Sequence, residues 1–115
     1  MSELPVVCTL SERELAERRT GLYAGLQRHR REVRWLPDGA ALRYLPEPGV
    51  MAALAELIQV ESQCCRFLRL RLTVEPDGGP LWLELTGPAG TREFLEAEIT
   101  TSTATQRGQG GDANA

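Results

Sequence analysis

The amino-acid sequence predicts an α+β fold: a two-layer sandwich whose four-stranded, mostly antiparallel sheet carries helices on one face, in the order αββαββα. Two pairs of short segments alternate apolar and polar residues around turn-forming sequences, which predicts two hairpins. The stretches before, between and after these pairs repeat apolar residues at helical spacing. At 115 residues the chain fits one domain, which we expect over residues 1–99, with a disordered, polar, Gly-rich tail over 100–115.

The first helix is predicted to begin at a capping box, in which the side chains of Ser11 and Glu14 can each reach a backbone amide of the first turn. The helix should end near His29. The first hairpin follows, with strands over residues 32–36 and 41–45 joined by a Pro-Asp-Gly turn, because the fixed φ of proline and the permissive glycine suit a tight reversal.

A second helix is predicted from Val50, after two prolines that end the preceding strand. Its apolar face is wide, and it must stop near the adjacent cysteines, because the apolar period changes there from 3.6 to 2. Alternating leucines then predict a strand up to Val74, a Pro- and Gly-rich turn, and a returning strand from Leu81. Gly87 and Pro88 predict the start of a short last helix.

Composition and charge limit the expected partners and location. No apolar run approaches the roughly 18–20 residues of a membrane span, and the first residues lack a signal-peptide pattern, so we expect a cytoplasmic protein without a membrane partner. The net charge of −3 argues against nucleic acid. A basic run is interpreted as the complement of a helix C-terminus. It comprises Arg28, His29, Arg30, Arg31 and Arg34.

Few residues suit the usual catalytic mechanisms. The single histidine, His29, has no evident carboxylate to orient it, which argues against a Ser-His-Asp or Cys-His site. Asp38 and Asp77 lie in turns and Asp112 lies in the tail, so hard-cation and phosphoryl-transfer sites are not expected. The three cysteines form no even disulfide framework, and we expect reduced thiols.

The concentrated chemistry is the segment from Glu61 to Cys65. On a helix, Glu61 falls on the same stripe as Leu54, Ile58 and Cys65, the face that should be buried. Burial of a charged carboxylate is unfavourable unless its charge is compensated or it is protonated, and two explanations for Glu61 remain open. Glu61 could carry a proton beside a thiol, or it could be paired with an arginine such as Arg43 or Arg66.

Cys64 and Cys65 are the candidate metal ligands, with Cys8 as a possible third sulfur. Adjacent cysteines inside a helix project about 100° apart, but relaxed geometry at a helix end could bring both thiolates to one centre. Thiolates favour soft ions such as Cu(I), Zn(II), Hg(II) or As(III). The alternative is that the cysteines fill the core as small apolar residues.

Several motifs together resemble a group of small uncharacterised bacterial proteins over residues 6–99. They are Cys8-Thr9-Leu10, the pattern E-x-x-C-C-x-F-L from Glu61 to Leu68, Leu72-Thr73-Val74-Glu75-Pro76, Leu81-Trp82-Leu83 and Thr86-Gly87-Pro88. The resemblance implies a heavy-metal context, such as mercury- or arsenic-resistance genes or metal-responsive regulators. Members of that group often carry proline after the cysteine pair. Arg66 stands there in this chain, which leaves the shape of the helix end open.

Three functions follow as hypotheses. The first is a module that sequesters or passes on a soft ion through its thiols. The second is a non-catalytic domain that binds a protein partner or, as a homodimer, a second copy of itself. Its contact surface would be a polar sheet face that carries Arg69, Arg71, Trp82 and Glu84. The third is a thiol redox or organometal-cleaving enzyme in which Glu61 supplies a proton.

Overall fold

A computed structural model describes residues 13–99 and has the predicted α+β fold in the order αββαββα. The elements are α1 (Arg13–Gln27), β1 (Arg30–Leu36), β2 (Gly39–Tyr44), α2 (Val50–Cys64), β3 (Arg69–Val74), β4 (Leu81–Thr86) and α3 (91–99). The predictions for Ser11, for Cys8 and for the tail lie outside the described residues. No helix within residues 13–99 has the length and apolar character needed to cross a bilayer.

The four strands form one antiparallel sheet in the order β1-β2-β4-β3. The two hairpins are therefore joined through their second strands, and β1 and β3 are the edges. Side chains alternate between the faces, so one face of each central strand turns toward the helices. The core is formed by buried apolar residues on that face and on α2: Ala40, Leu42, Tyr44, Leu54, Leu57, Leu81, Leu83 and Leu85.

Gly39 permits the close approach of β2 to β4 at the start of the central pair. A Cβ built there would lie 1.9 Å from the carbonyl oxygen of Leu85, a backbone atom that cannot move aside. The strand consequently begins at Gly39, whereas the sequence analysis treated this glycine as part of the turn. The hairpin loop reduces to Pro37 and Asp38.

The interpretation of the basic run as a helix C-terminus is wrong. Helix α1 ends at Gln27 with no basic residue in its last turn, and Arg30, Arg31 and Arg34 lie in β1. Pairing with β2 satisfies the backbone of this segment, and long arginine side chains keep their charges in water from an edge strand. The register shifts between Arg30 and Glu32, so β1 carries an irregularity of the β-bulge kind.

Helix α2 carries the larger apolar face and ends as predicted at the cysteines. Its buried side chains are Val50, Leu54, Leu57, Val60, Glu61 and Cys64. At Cys65 the backbone leaves helical geometry, with φ −113° and ψ 75°, while its amide still donates to the carbonyl of Glu61 at 2.7 Å. The next turn begins at once, since the amide of Leu68 donates to the carbonyl of Cys65 at 3.0 Å.

Candidate functional site

The two adjacent thiols lie at the point where α2 ends and the chain turns toward β3. Both Cys64 and Cys65 are 0% exposed, and both are thiols rather than halves of a disulfide. They form a small apolar cluster with Val60 and Phe67, which is separate from the main core. Leu22 of α1, Leu68, and Phe94 of α3 pack against this cluster, so distant parts of the chain also screen the pair from water.

Glu61 is held in place by two side chains of α1. Its carboxylate is 1% exposed; Oε1 accepts from Arg19 Nε at 3.2 Å, and Oε2 accepts from the hydroxyl of Tyr23. Arg19 and Tyr23 are four residues apart, so they share one face of α1 and reach the same carboxylate. The buried charge on α2 is thus compensated from the neighbouring helix, as buried carboxylates require.

The electrostatics of these two partners reflect their burial and the carboxylate between them. Burial is the largest single effect and lowers the pKa of the Arg19 guanidinium, but the charges of Glu61 and Tyr23 and the hydrogen bond to Glu61 together outweigh it, so the net pKa is raised. Burial raises the pKa of the Tyr23 hydroxyl, and the negative charge of Glu61 raises it further. Arg19 is therefore a permanent cation in this site, and Tyr23 remains a neutral hydrogen-bond donor well into the alkaline range.

The same guanidinium is close enough to Cys65 to sense its charge. The sulfur of Cys65 adds to the rise in the pKa of Arg19, after the larger effects of Glu61 and Tyr23. Two buried sulfurs and the cation of Arg19 thus lie in the same part of the molecule.

Arg19 also contacts the last helix. Its Nη2 lies 3.4 Å from Oε1 of Glu98 on α3, while its side chain as a whole is only 12% exposed. One arginine on α1 therefore touches a carboxylate on each of the other two helices. The contact with Glu98 is the more exposed of the two and contributes less to stability.

Glu61 and Cys65 are both buried, as their shared helical stripe predicted, but the partner of Glu61 is neither of the arginines considered. Arg43 binds Glu32 at 2.9 Å, and Arg66 is exposed in the turn after the cysteines. Arg19 and Tyr23 were not among the site residues predicted from the sequence. Their four-residue spacing on a predicted helix indicates that both could contact one group, but nothing in the sequence shows which carboxylate a given arginine will contact.

Within residues 13–99, no three His, Cys, Asp or Glu side chains are arranged to hold a metal ion together. The thiol pair is the candidate donor set there, and the neighbouring Glu61 accepts hydrogen bonds from Arg19 and Tyr23. Cys8, the predicted third sulfur, lies outside the described residues.

A surface cleft of about 430 Å³ lies beside the thiol cluster, and Phe67 is one of the residues that line it. Its lining includes Phe67, Leu68 and Arg69, the residues that follow the thiols, together with Thr86 from the end of β4. Phe67 packs edge-on against Phe94 of α3, with ring centroids 5.2 Å apart. This phenylalanine therefore belongs both to the thiol cluster and to the wall of the surface cleft.

The sheet face opposite the helices is polar, as predicted, but Trp82 does not stand open on it. The guanidinium of Arg34 lies 4.7 Å from the centre of the Trp82 ring, and Arg71 lies 3.7 Å from Glu84. Trp82, Arg71 and Glu84, which were expected to contact a partner on this face, therefore already contact other side chains of the same chain.

Comparison of the sequence with protein-family models and with curated proteins gave no match, and comparison with solved structures gave none either. The resemblance to a group of bacterial proteins through the cysteine motif thus stays a prediction.

Proposed function

We propose that the protein binds a soft metal or metalloid ion through the thiolates of Cys64 and Cys65 and sequesters or passes on that ion. The observation that carries the proposal is the position of the thiols: two adjacent sulfurs at a helix end, neither of them in a disulfide and both screened from water. The thiolate is the form of cysteine that binds metals.

The number of sulfur donors selects among the ions. Two thiolates suit soft ions that accept low coordination numbers, such as Hg(II) or Cu(I), whereas Zn(II) sites are almost always four-coordinate. A third sulfur from Cys8 would extend the range to As(III). We therefore expect the affinity for Hg(II) and Cu(I) to depend on Cys64 and Cys65 alone, and affinity for As(III) to depend on Cys8 as well.

In this proposal Glu61 and Arg19 position the site and take no part in proton transfer. Glu61 accepts hydrogen bonds from two side chains of α1, which gives its carboxylate a structural role. This arrangement favours a binding module over the organometal-cleaving enzyme. It also explains the buried carboxylate as the anchor of Arg19 near Cys65.

The test is an anaerobic titration of the reduced protein with Hg(II), Cu(I), Zn(II) and As(III), one at a time. Binding is followed by ultraviolet thiolate-to-metal charge-transfer absorption and by native mass spectrometry. We expect saturable binding of one Hg(II) or Cu(I) per chain, lost in the variant Cys64→Ser, Cys65→Ser and retained in Cys8→Ser. Equal binding by the wild type and the double variant would overturn the proposal.

Access to the buried thiols provides a second test. Phe67 belongs to the thiol cluster and also lines the cleft, so Phe67→Ala should speed the reaction of both thiols with a disulfide reagent and speed Hg(II) uptake. Phe94→Ala removes the other ring of the same contact and is the matched control, because Phe94 does not line the cleft. If both variants speed the reaction equally, general loosening rather than an entry route is responsible.

A further inference from the structure

Among the strands that the structure describes, β1 and β3 form the edges of the sheet, and they differ in regularity. Strand β3 pairs with β4 without interruption from Arg69 to Val74, whereas β1 is broken by its bulge. Within residues 13–99 no strand lies beyond β3. Bulges and short edges are devices by which sheets avoid pairing with other chains, and β3 has no bulge.

The direction of the backbone groups on this edge follows from the register. The amide of Glu75 donates to the carbonyl of Pro80, which continues the β3–β4 ladder by one pair. Hydrogen-bonded pairs alternate along an antiparallel ladder, so the odd-numbered residues of β3 bond to β4. The amides and carbonyls of Leu70, Leu72 and Val74 therefore point away from the sheet.

The same residues present an apolar row on the helix-covered side. Leu70 and Leu72 are half-buried, and Val74 is 51% exposed, one of two large apolar side chains so exposed in the described chain. The opposite side of β3 carries the cations of Arg69 and Arg71. An edge with unpaired backbone groups and an apolar row on one side is a site for strand addition.

We infer that this edge binds the β3 edge of a second copy of the chain, forming a twofold dimer with one continuous sheet. The axis passes through Leu72, which faces Leu72 of the second copy. Every outward-pointing residue is then paired, and each side chain faces one from the same side of the sheet. The remaining cross-strand pairs are Leu70 with Val74, Arg71 with Thr73, and Arg69 with Glu75.

Charge selects this register over its neighbours. In the chosen register the exposed carboxylate of Glu75 faces the exposed cation of Arg69, twice per dimer by symmetry. A shift that centres the axis on Arg71 would set two like charges opposite each other, which is destabilising. The opposite shift would bring Pro76 into the new ladder, where it has no amide to donate. The inference does not depend on metal binding.

Sedimentation of the full chain over a wide concentration range tests the dimer. Val74→Lys places a charge in the apolar row and should weaken the dimer at least roughly tenfold, because the lysine faces Leu70 of the second copy. Met51→Lys is the matched control: Met51 is 47% exposed and belongs to α2 rather than to β3, and its replacement should leave dimerisation unchanged.

Charge exchange tests the register itself. Arg69→Glu and Glu75→Arg should each weaken self-association by roughly tenfold, since two attractive pairs become repulsive. An equimolar mixture of the two variants should dimerise as well as the wild type, because every facing pair is again of opposite charge. The double variant R69E, E75R should also recover. A monomer at all concentrations, or a dimer indifferent to these exchanges, would overturn the inference.

Discussion

Residues 13–44 and 50–86 each form a helix followed by a hairpin, and the second strands of the two hairpins meet at the centre of the sheet. The two halves share a topology but differ in what they bury. Helix α2 has buried side chains along its whole length on one face, whereas Leu26 is the one buried side chain among those described in α1. Both halves supply strand residues to the core, but the second half supplies the thiols and the first supplies the cation and hydroxyl that satisfy Glu61.

The comparison teaches that equivalent elements need not contribute equally to stability or to the site. Helix α1 contributes Leu26 to the core and contacts α2 through the Arg19–Glu61 ion pair, while α2 is anchored by its apolar face on the sheet. The edge strands of the two halves also differ, because the pairing of β1 is interrupted by a bulge whereas the pairing of β3 is regular. Mutations in corresponding positions of the two halves should therefore have unequal effects.

The largest difference is expected between the apolar residues of the two helices. Leu57→Ala on α2 should lower the free energy of unfolding by about 4 kcal/mol, because Leu57 is fully buried and its truncation leaves a cavity. Leu22→Ala on α1 should cost about 1–2 kcal/mol, because Leu22 is only partly buried. Urea unfolding of both variants measures the difference. Equal losses would show that α1 is as firmly anchored as α2.

The second largest effect on stability is expected for the contacts of Glu61 on α2 with Arg19 and Tyr23 on α1. Glu61→Ala should lower stability by about 3 kcal/mol, since it leaves Arg19 and Tyr23 facing a site that no longer compensates them. Glu56→Ala is the control on the same helix. Its pair with Arg18 is solvent-exposed, so we expect a loss of at most about 1 kcal/mol. Comparable losses in the two variants would contradict a special role for burial at Glu61.

Alkaline pH should destabilise the protein through its first half, which contains both tyrosines. Burial raises the pKa of Tyr44 to about 12, and burial with the charge of Glu61 raises the pKa of Tyr23. Each folded-state pKa exceeds the unfolded value of about 10, so the stabilisation is complete below pH 10 and is lost as pH rises through the folded pKa. The expected loss from Tyr44 by about pH 12 is roughly 2 kcal/mol.

Unfolding midpoints measured from neutral to alkaline pH check this sign. Tyr23→Phe and Tyr44→Phe should each reduce the slope above about pH 10, whatever they do to stability at neutral pH. Identical slopes in the wild type and both variants would assign the alkaline sensitivity to other groups.

The smallest expected effect is a gain. Gly21 lies in the middle of α1 with no atom within 4 Å of where a Cβ would stand. Gly21→Ala should therefore stabilise the protein by about 0.5–1 kcal/mol, because alanine loses less backbone entropy in a helix. A rise in the thermal midpoint would confirm that α1 is held below its possible stability, and a fall would indicate a contact absent from the structure.

The fold was predictable because its signals are local. The change of period after the cysteines and the Pro-Asp-Gly turns determine where strands begin and reverse, and the burial of Glu61 follows from its place on the apolar stripe. The order of the strands could not be derived in this way. The pairing of β2 with β4 depends on Gly39, whose role is visible only when Leu85 lies beside it.

The candidate site was predictable only in part, for a related physical reason. Helical spacing placed Glu61, Cys64 and Cys65 within one turn, but the partner of Glu61 comes from a residue 42 positions earlier in the chain. Thirteen arginines were available, and a cation on a long flexible stem carries no sequence mark of the carboxylate it will meet. The basic run was misread because charge alone does not distinguish a helix end from an edge strand.

The position of Arg19 between carboxylates on α2 and α3 has a consequence for local opening. Releasing α1 breaks the contacts of Arg19 and Tyr23 with Glu61 and removes Leu22, which packs on the thiol cluster. The same fluctuation that exposes the amides of α1 should therefore expose the thiols. Hydrogen exchange in α1 and chemical modification of Cys64 and Cys65 should then report one opening equilibrium and respond in parallel to any mutation that shifts it.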